Sequence, residues 1–192
     1  MSEPSSLIAI LDASVLYPAP LRHLFVALAI TGAYRARWTS TIQDEWTRSL
    51  LRDRPDLDAQ RIARTRYLMD SHIADAIVDG YEHLIGKLTL PDPGDRHVLA
   101  AAIRGGANVI VTANLRHFPA GPLAPHGLIA LHPDTFLLEL IEKDPELVFA
   151  AVREHRLSLL NPPRTPEDYL AALERHHMTA TVAALRAMMD RL

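Results

Sequence analysis

Cysteine is missing from this 192-residue chain. Its absence excludes a disulfide framework and thiolate zinc sites, leaving Asp, Glu and His as metal ligands. It also fits a reducing cytoplasm, where the protein is expected. Lysine is nearly missing: of 20 basic residues, only Lys87 and Lys143 are not arginine. Long apolar runs are absent as well. Leu24–Ile30 is far too short to span a bilayer, and Met1-Ser2-Glu3-Pro4 carries no basic region, so neither a membrane span nor a signal peptide is expected. Excess positive charge is lacking too, the net charge being −3. Residues 1–132 hold 13 bases and 13 acids, and residues 133–192 hold 7 and 10. A broad electrostatic grip on nucleic acid is thereby excluded, and any contact with it must be local and helped by a bound cation.

What is present suffices for a core: hydrophobic residues make up 48% of the chain. Leu7-Ile8-Ala9-Ile10-Leu11, ended by Asp12, and Asn108-Val109-Ile110-Val111-Thr112 read as strands buried on both faces of a parallel sheet. Arg37-Trp38-Thr39, Leu88-Thr89-Leu90 and Leu128-Ile129-Ala130-Leu131 are expected as shorter strands. Helices are expected over Leu21–Ile30, from a cap at Ser40 or Thr41 to about Arg52, and over Leu57–Asp70. Asp92-Pro93-Gly94-Asp95 starts a further helix that stops at Gly105-Gly106, and Ala113–Gly127 is expected as loop. The alternation predicts an α/β sandwich with a mainly parallel sheet over residues 1–132. From Pro133 the pattern is helical only, giving a C-terminal helical extension over 133–192, broken at Asn161-Pro162-Pro163 and restarted at Thr165-Pro166-Glu167-Asp168.

Chemistry enters at the strand ends. Asp12 follows the first strand and Asn114 lies just past the second clear one, where open parallel sheets place their sites. A turn or cap role is the alternative for Asp12. Helical phase singles out Glu45. With Ile42 at zero, Trp46 lies roughly 40° round, and Glu45 about 60° to the other side, bordering the apolar face while Asp44 points to solvent. A carboxylate there needs a cation, a donor or a metal. Asp95 precedes Val98, Leu99, Ala102 and Ile103 at spacings that put it atop their stripe, although an acid in a first turn also suits the helix dipole. Asp12, Glu45 and Asp95 together make a hard-oxygen set suited to Mg²⁺ or Mn²⁺. Asp92 reads as a cap, set back from the site. Ser14 and Thr112 are candidates to bond the acids, the metal waters or substrate, or simply to pack at the strand ends.

Four segments in order resemble the PIN-domain nucleases: Leu11-Asp12-Ala13-Ser14-Val15-Leu16-Tyr17, Asp44-Glu45-Trp46, Leu90–Ala102, and Val111-Thr112-Ala113-Asn114-Leu115-Arg116-His117-Phe118-Pro119. The likeness is strongest to VapC-like toxins of toxin–antitoxin systems and covers about residues 7–132, with the tail resembling one subfamily's C-terminal extension. The resemblance implies a Rossmann-like α/β/α sandwich and a metal-dependent endoribonuclease, with Asp12, Glu45 and Asp95 as principal acids. It further implies an RNA substrate, transfer RNA by analogy, a cognate antitoxin, and a homodimer. Asn114 stands at a fourth position often Asp in the family, where it would orient water or substrate. His117 likewise stands where many relatives have Asp. One tightly held ion is therefore expected, and the alternative is a catalytically weakened RNA-binding or regulatory module.

Arg116, beside Asn114, is the best candidate for a phosphate contact. The arginine-rich stretch Arg48 to Arg66 reads as a solvated face, with RNA or antitoxin contact as alternatives. No histidine pair has ligand spacing near the acids, and His97 is expected to face outward. No phosphate-cradling glycine loop and no nucleophile elbow is present.

Overall fold

The first aliphatic run forms β1 (Ile8–Leu11), whose last three residues are fully buried, as a strand covered on both faces must be. It pairs in parallel with β2 (Arg35–Arg37) on one side and β3 (Val109–Val111) on the other, and β3 pairs with β4 (Ile129–Leu131). The four-stranded sheet has the order β2-β1-β3-β4. Ile10 lies opposite Arg37 and Ile110, so the carboxyl ends of β1 and β3 are level. The chain passes to one side after β1 and to the other with β3, which makes the β1/β3 boundary the switch point of the sheet. The structure is a computed structural model that describes residues 7–73 and 75–188.

Helices α1 (Ala13–Leu16) and α2 (Ala19–Ile30) follow β1, and α3 (Ser40–Asp53) and α4 (Ala59–His72) follow β2. The cap of α3 is Thr39, one residue earlier than expected, its Oγ1 accepting the Ile42 N–H at 3.1 Å. Two short helices and one longer one complete the sandwich: α5 (Glu82–Ile85), α6 (Arg96–Arg104) and α7 (Ala120–Leu123). The segment Ala113–Gly127, expected as loop, contains α7 and two 3₁₀ turns, Leu115–His117 and Ala124–His126.

Leu88-Thr89-Leu90 is not a strand. The backbone pairing beyond β2 is taken by a nearer segment: Trp38 donates to the Ala76 carbonyl and accepts from the Val78 N–H, both at 2.9 Å. Leu90 is buried all the same, so its apolar character reports packing and not pairing.

A buried arginine ties the helical layers together. The Arg22 guanidinium lies 4.4 Å from the Trp46 ring centroid, joining α2 to α3. Its Nη1 donates to the carbonyls of Leu16 and Tyr17 at 2.6 and 3.1 Å, satisfying the end of α1. Burial lowers its pKa to about 10, which leaves it charged at neutral pH.

The chain closes with α8 (Pro133–Lys143), α9 (Pro145–Ser158), α10 (Pro166–Glu174) and α11 (Thr179–Arg186). Proline opens the first three, where a missing N–H costs nothing. The carboxylate of Asp134 on α8 accepts the N–H groups of Ala180 and Thr181, so α8 caps α11 across space. Phe136 stacks on Phe25 and meets Tyr34 edge-on, with centroids 6.1 and 5.1 Å away. These helices therefore share one hydrophobic core with the sheet layer. Among the described residues, no helix is long and apolar enough to cross a membrane.

Replacing Arg22 by alanine removes a cation–π contact and leaves two carbonyls without their donor. Arg22→Ala is expected to cost about 3 kcal/mol in urea unfolding. A loss below about 1 kcal/mol would mean that water and neighbouring side chains replace it readily.

Candidate active site

The backbone sets the first carboxylate before any side chain acts. Asp12 extends the β1 ladder by one bond, its N–H donating to the Val111 carbonyl at 3.0 Å, and it then turns the chain into α1. Its side chain is buried, with 6% exposure. A buried carboxylate needs donors, and two hydroxyls supply them. Ser14 Oγ donates to Asp12 Oδ2 at 2.6 Å, and Thr112 Oγ1 does so at 2.8 Å from the end of β3. Both act on one oxygen. Thr112 in turn receives the Asn114 N–H at 3.0 Å, and Ser14 receives that of Ala113. Two hydroxyls, one carboxylate and the turn after β3 thus form one network across the switch point. Thr112 is fully buried, so its role is to hold Asp12 and not to touch a ligand directly.

Asp95 arrives from the start of α6. Asp92 caps the 3₁₀ turn Pro93–Asp95 by accepting the Gly94 N–H at 2.8 Å, as its place before proline requires. Burial raises the pKa of Asp95, the negative charges of Asp12 and Asp92 raise it further, and a hydrogen bond from His117 works against both. Asp12 and Asp95 therefore feel each other's charge.

Each remaining acid of the predicted set has found a histidine. Glu45, half-buried on α3, has Oε1 2.9 Å from His97 Nε2. His97 is buried and does not face outward, because residues 97 to 102 of α6 are covered all round. The run Ala100-Ala101-Ala102 lets neighbouring elements approach that helix from every side, so helical phase carries no information there. Asp95 Oδ2 meets His117 Nδ1 at 2.7 Å, and Arg116 Nε donates to His117 Nε2 at 3.2 Å. Accepting at Nε2 places the imidazole proton on Nδ1, facing Asp95. The sequence offers no histidine pair with ligand spacing, yet His117 comes to an acid 22 positions away through the fold.

One ligand atom from each of Asp92, Asp95 and His117 lies within 4.8 Å of the others, the compact donor group found among the described residues. Asp12 and Glu45 lie outside that group. Asp92, read as a mere cap from sequence, is part of it. Asn114 and Arg116 are exposed at the rim. Two carboxylates and an imidazole with donor atoms this close are donors a hard or borderline divalent cation takes, so the residues fit such an ion.

Comparison with known proteins places the chain. The family model described as "PIN domain" matches residues 9–116, and that described as "VapC50 C-terminal domain" matches residues 133–187. A Mycobacterium tuberculosis protein named "Putative ribonuclease VapC50" is 44% identical over 98 residues, which is 51% of this chain and 57% of that protein. The matched region thus spans little more than half the length of that curated relative. No solved structure matches the chain.

The raised pKa of Asp95 has a definite sign in stability. An acid that holds its proton more tightly when folded opposes folding once ionised, and the penalty fades as pH falls through the raised value. In the absence of divalent cations, Asp95→Asn is therefore expected to melt at a higher temperature than the parent at pH 7. The advantage should shrink as pH falls toward the ordinary carboxylate value of 3.8. A variant that melts lower at pH 7 would show that the hydrogen bond to His117 outweighs burial.

Proposed function

The chain belongs to the PIN-domain family, and we propose that it is an endoribonuclease that depends on a divalent cation, Mg²⁺ or Mn²⁺, and serves as the toxin of a toxin–antitoxin pair. The observation that carries this reading is the buried Asp12 at the sheet's switch point, held by two hydroxyls through one oxygen and sharing its field with Asp95. Asp12, Glu45 and Asp95 would hold the cation. When bound, the cation neutralises charge on the scissile phosphodiester and acidifies the attacking water.

The chain's own residues do the rest by placement. Ser14 and Thr112 hold Asp12 through Oδ2, which leaves Oδ1 without either of these two donors and the carboxylate already oriented. His97 restrains Glu45, which would otherwise leave the α3 surface for solvent. Arg116 is exposed and uses its Nε on His117, leaving the guanidinium's terminal nitrogens for a phosphate oxygen. Asn114 offers a neutral amide at the rim, suited to holding a water or a ribose hydroxyl. The substrate is RNA, transfer RNA by family analogy. The partners are a small antitoxin encoded alongside and a second copy of the chain, in the cytoplasm.

A second reading has an observation of its own. Asn114 and His117 carry no fixed negative charge where many relatives have acids, which favours a binding module with reduced chemistry. A mixed RNA pool incubated with Mg²⁺, with Mn²⁺ and with EDTA separates the two. Cleavage is expected only with a cation, and Asp12→Asn or Asp95→Asn should each slow it at least about a hundredfold, about 2.7 kcal/mol of transition-state stabilisation. Variants that cut as fast as the parent would sink the mechanism. Binding without cutting, with activity gained on Asn114→Asp, would establish the module instead.

A further inference from the structure

We propose that a divalent cation is held partly through nitrogen at a site that shares only Asp95 with the set Asp12, Glu45 and Asp95: Asp92, Asp95 and His117 form an oxygen–oxygen–nitrogen group that selects Mn²⁺ and the later first-row ions over Mg²⁺. The inference rests on the reading that this site takes a divalent cation, and adds which ion and through which atoms.

Three features of the fold build the site. Asp92 and Asp95 flank a 3₁₀ turn, in which residues three apart eclipse, so both carboxylates stand on one side of the chain. His117 closes a second 3₁₀ turn, Leu115–His117, pinned by the bond from its own N–H to the Asn114 carbonyl at 2.9 Å. The two turns face each other, and the three donor atoms converge within 4.8 Å. None of the three side chains is tied into the core. Asp92 is exposed, and Asp95 and His117 are half-buried, so an ion can reach them from solvent.

Distances and donor chemistry agree. Asp95 Oδ2 and His117 Nδ1 are 2.7 Å apart. Neighbouring ligands on an octahedral ion with bonds of about 2.1 Å lie roughly 3 Å apart, so little movement converts that hydrogen-bonded pair into a pair of ligands. Binding through Nδ1 would need the other tautomer, with the single imidazole proton on Nε2 instead of Nδ1. Arg116 must then release Nε2, because two N–H donors cannot face each other. Arg116 is exposed and free to turn outward, toward a phosphate.

Selectivity follows from the nitrogen. Mg²⁺ prefers oxygen ligands and gives up water reluctantly, whereas imidazole suits Mn²⁺, Co²⁺ and Zn²⁺ increasingly well along the row. A carboxylate at position 117 would bring a full charge and no such preference.

The test uses the full chain, stripped with EDTA and titrated with Mn²⁺ alone, followed by electron paramagnetic resonance. Pulsed measurements of ¹⁴N coupling should show a directly bound imidazole nitrogen in the parent, and none in His117→Asp or His117→Gln. Mg²⁺ should displace Mn²⁺ from the parent only at a more than tenfold excess, and at roughly tenfold lower excess from His117→Asp. Bound Mn²⁺ without nitrogen coupling, or coupling that persists in both variants, would overturn this inference and leave the cation-dependent reading standing. Failure of the parent to bind Mn²⁺ at all would overturn both. Circular dichroism melts of the two variants confirm that they fold, and the glutamine variant covers a failure of the aspartate one.

Discussion

A carboxylate held inside a protein by hydroxyl groups is the constraint on which the rest of this structure turns. Asp12 is at once the last rung of the central ladder, the cap of α1 and the most buried acid of the site. Leaving a buried charge unpaired would cost several kcal/mol, whereas each hydrogen bond to an ionised group returns about 1.5–3 kcal/mol. Ser14 and Thr112 together therefore offset the burial, but only through Oδ2. The strands must stay in register for this to work, since Thr112 reaches Asp12 only while the ends of β1 and β3 are level. Fold stability and site geometry are thus coupled through a few atoms at the sheet's switch point.

The helical extension belongs to the same argument. Phe136 of α8 packs between Phe25 and Tyr34, and the Tyr34 hydroxyl donates to the Phe25 carbonyl at 2.9 Å. Arg22, three residues before Phe25 on α2, lays its guanidinium over Trp46 of α3. The extension and α3 are thus tied to the same helix, which follows α1 directly in the chain.

Much of this was legible in the sequence, for reasons that can be named. Asp12 and Asn114 sit where aliphatic runs stop, and a buried parallel strand leaves little freedom in where its end falls. Helical phase placed Glu45 at the border of an apolar face, and the structure has it half-buried with a partner. The same reasoning misjudged His97, because phase informs only when a helix has a polar side, and residues 97 to 102 of α6 have none. Leu88–Leu90 misled in a related way: alternating apolar residues signal burial, and burial alone does not make a strand. His117 was harder still. Its contact with Asp95 spans 22 positions and depends on two 3₁₀ turns facing each other, which no periodicity encodes.

Charge decides how such a site can work on a polyanion. Asp12 and Asp92 place their charges on Asp95 in a chain whose net charge is −3. A phosphodiester approaching those acids without a cation meets like charges; burial first, and the charges of Asp12 and Asp92 after it, raise the pKa of Asp95. The hydrogen bond between His117 and Asp95 offsets this only in part, since the pKa of Asp95 stays raised. Long-range steering by basic residues offers little help at a Debye length near 8 Å, and several arginines are already paired, Arg52 with Asp53, Arg54 with Asp56 and Arg66 with Asp44. A divalent cation bound there, as proposed, would answer both needs, holding the acids together and presenting positive charge to the phosphate. Asn114 brings no charge to that rim, so a bound ion would keep more of its positive charge for the substrate.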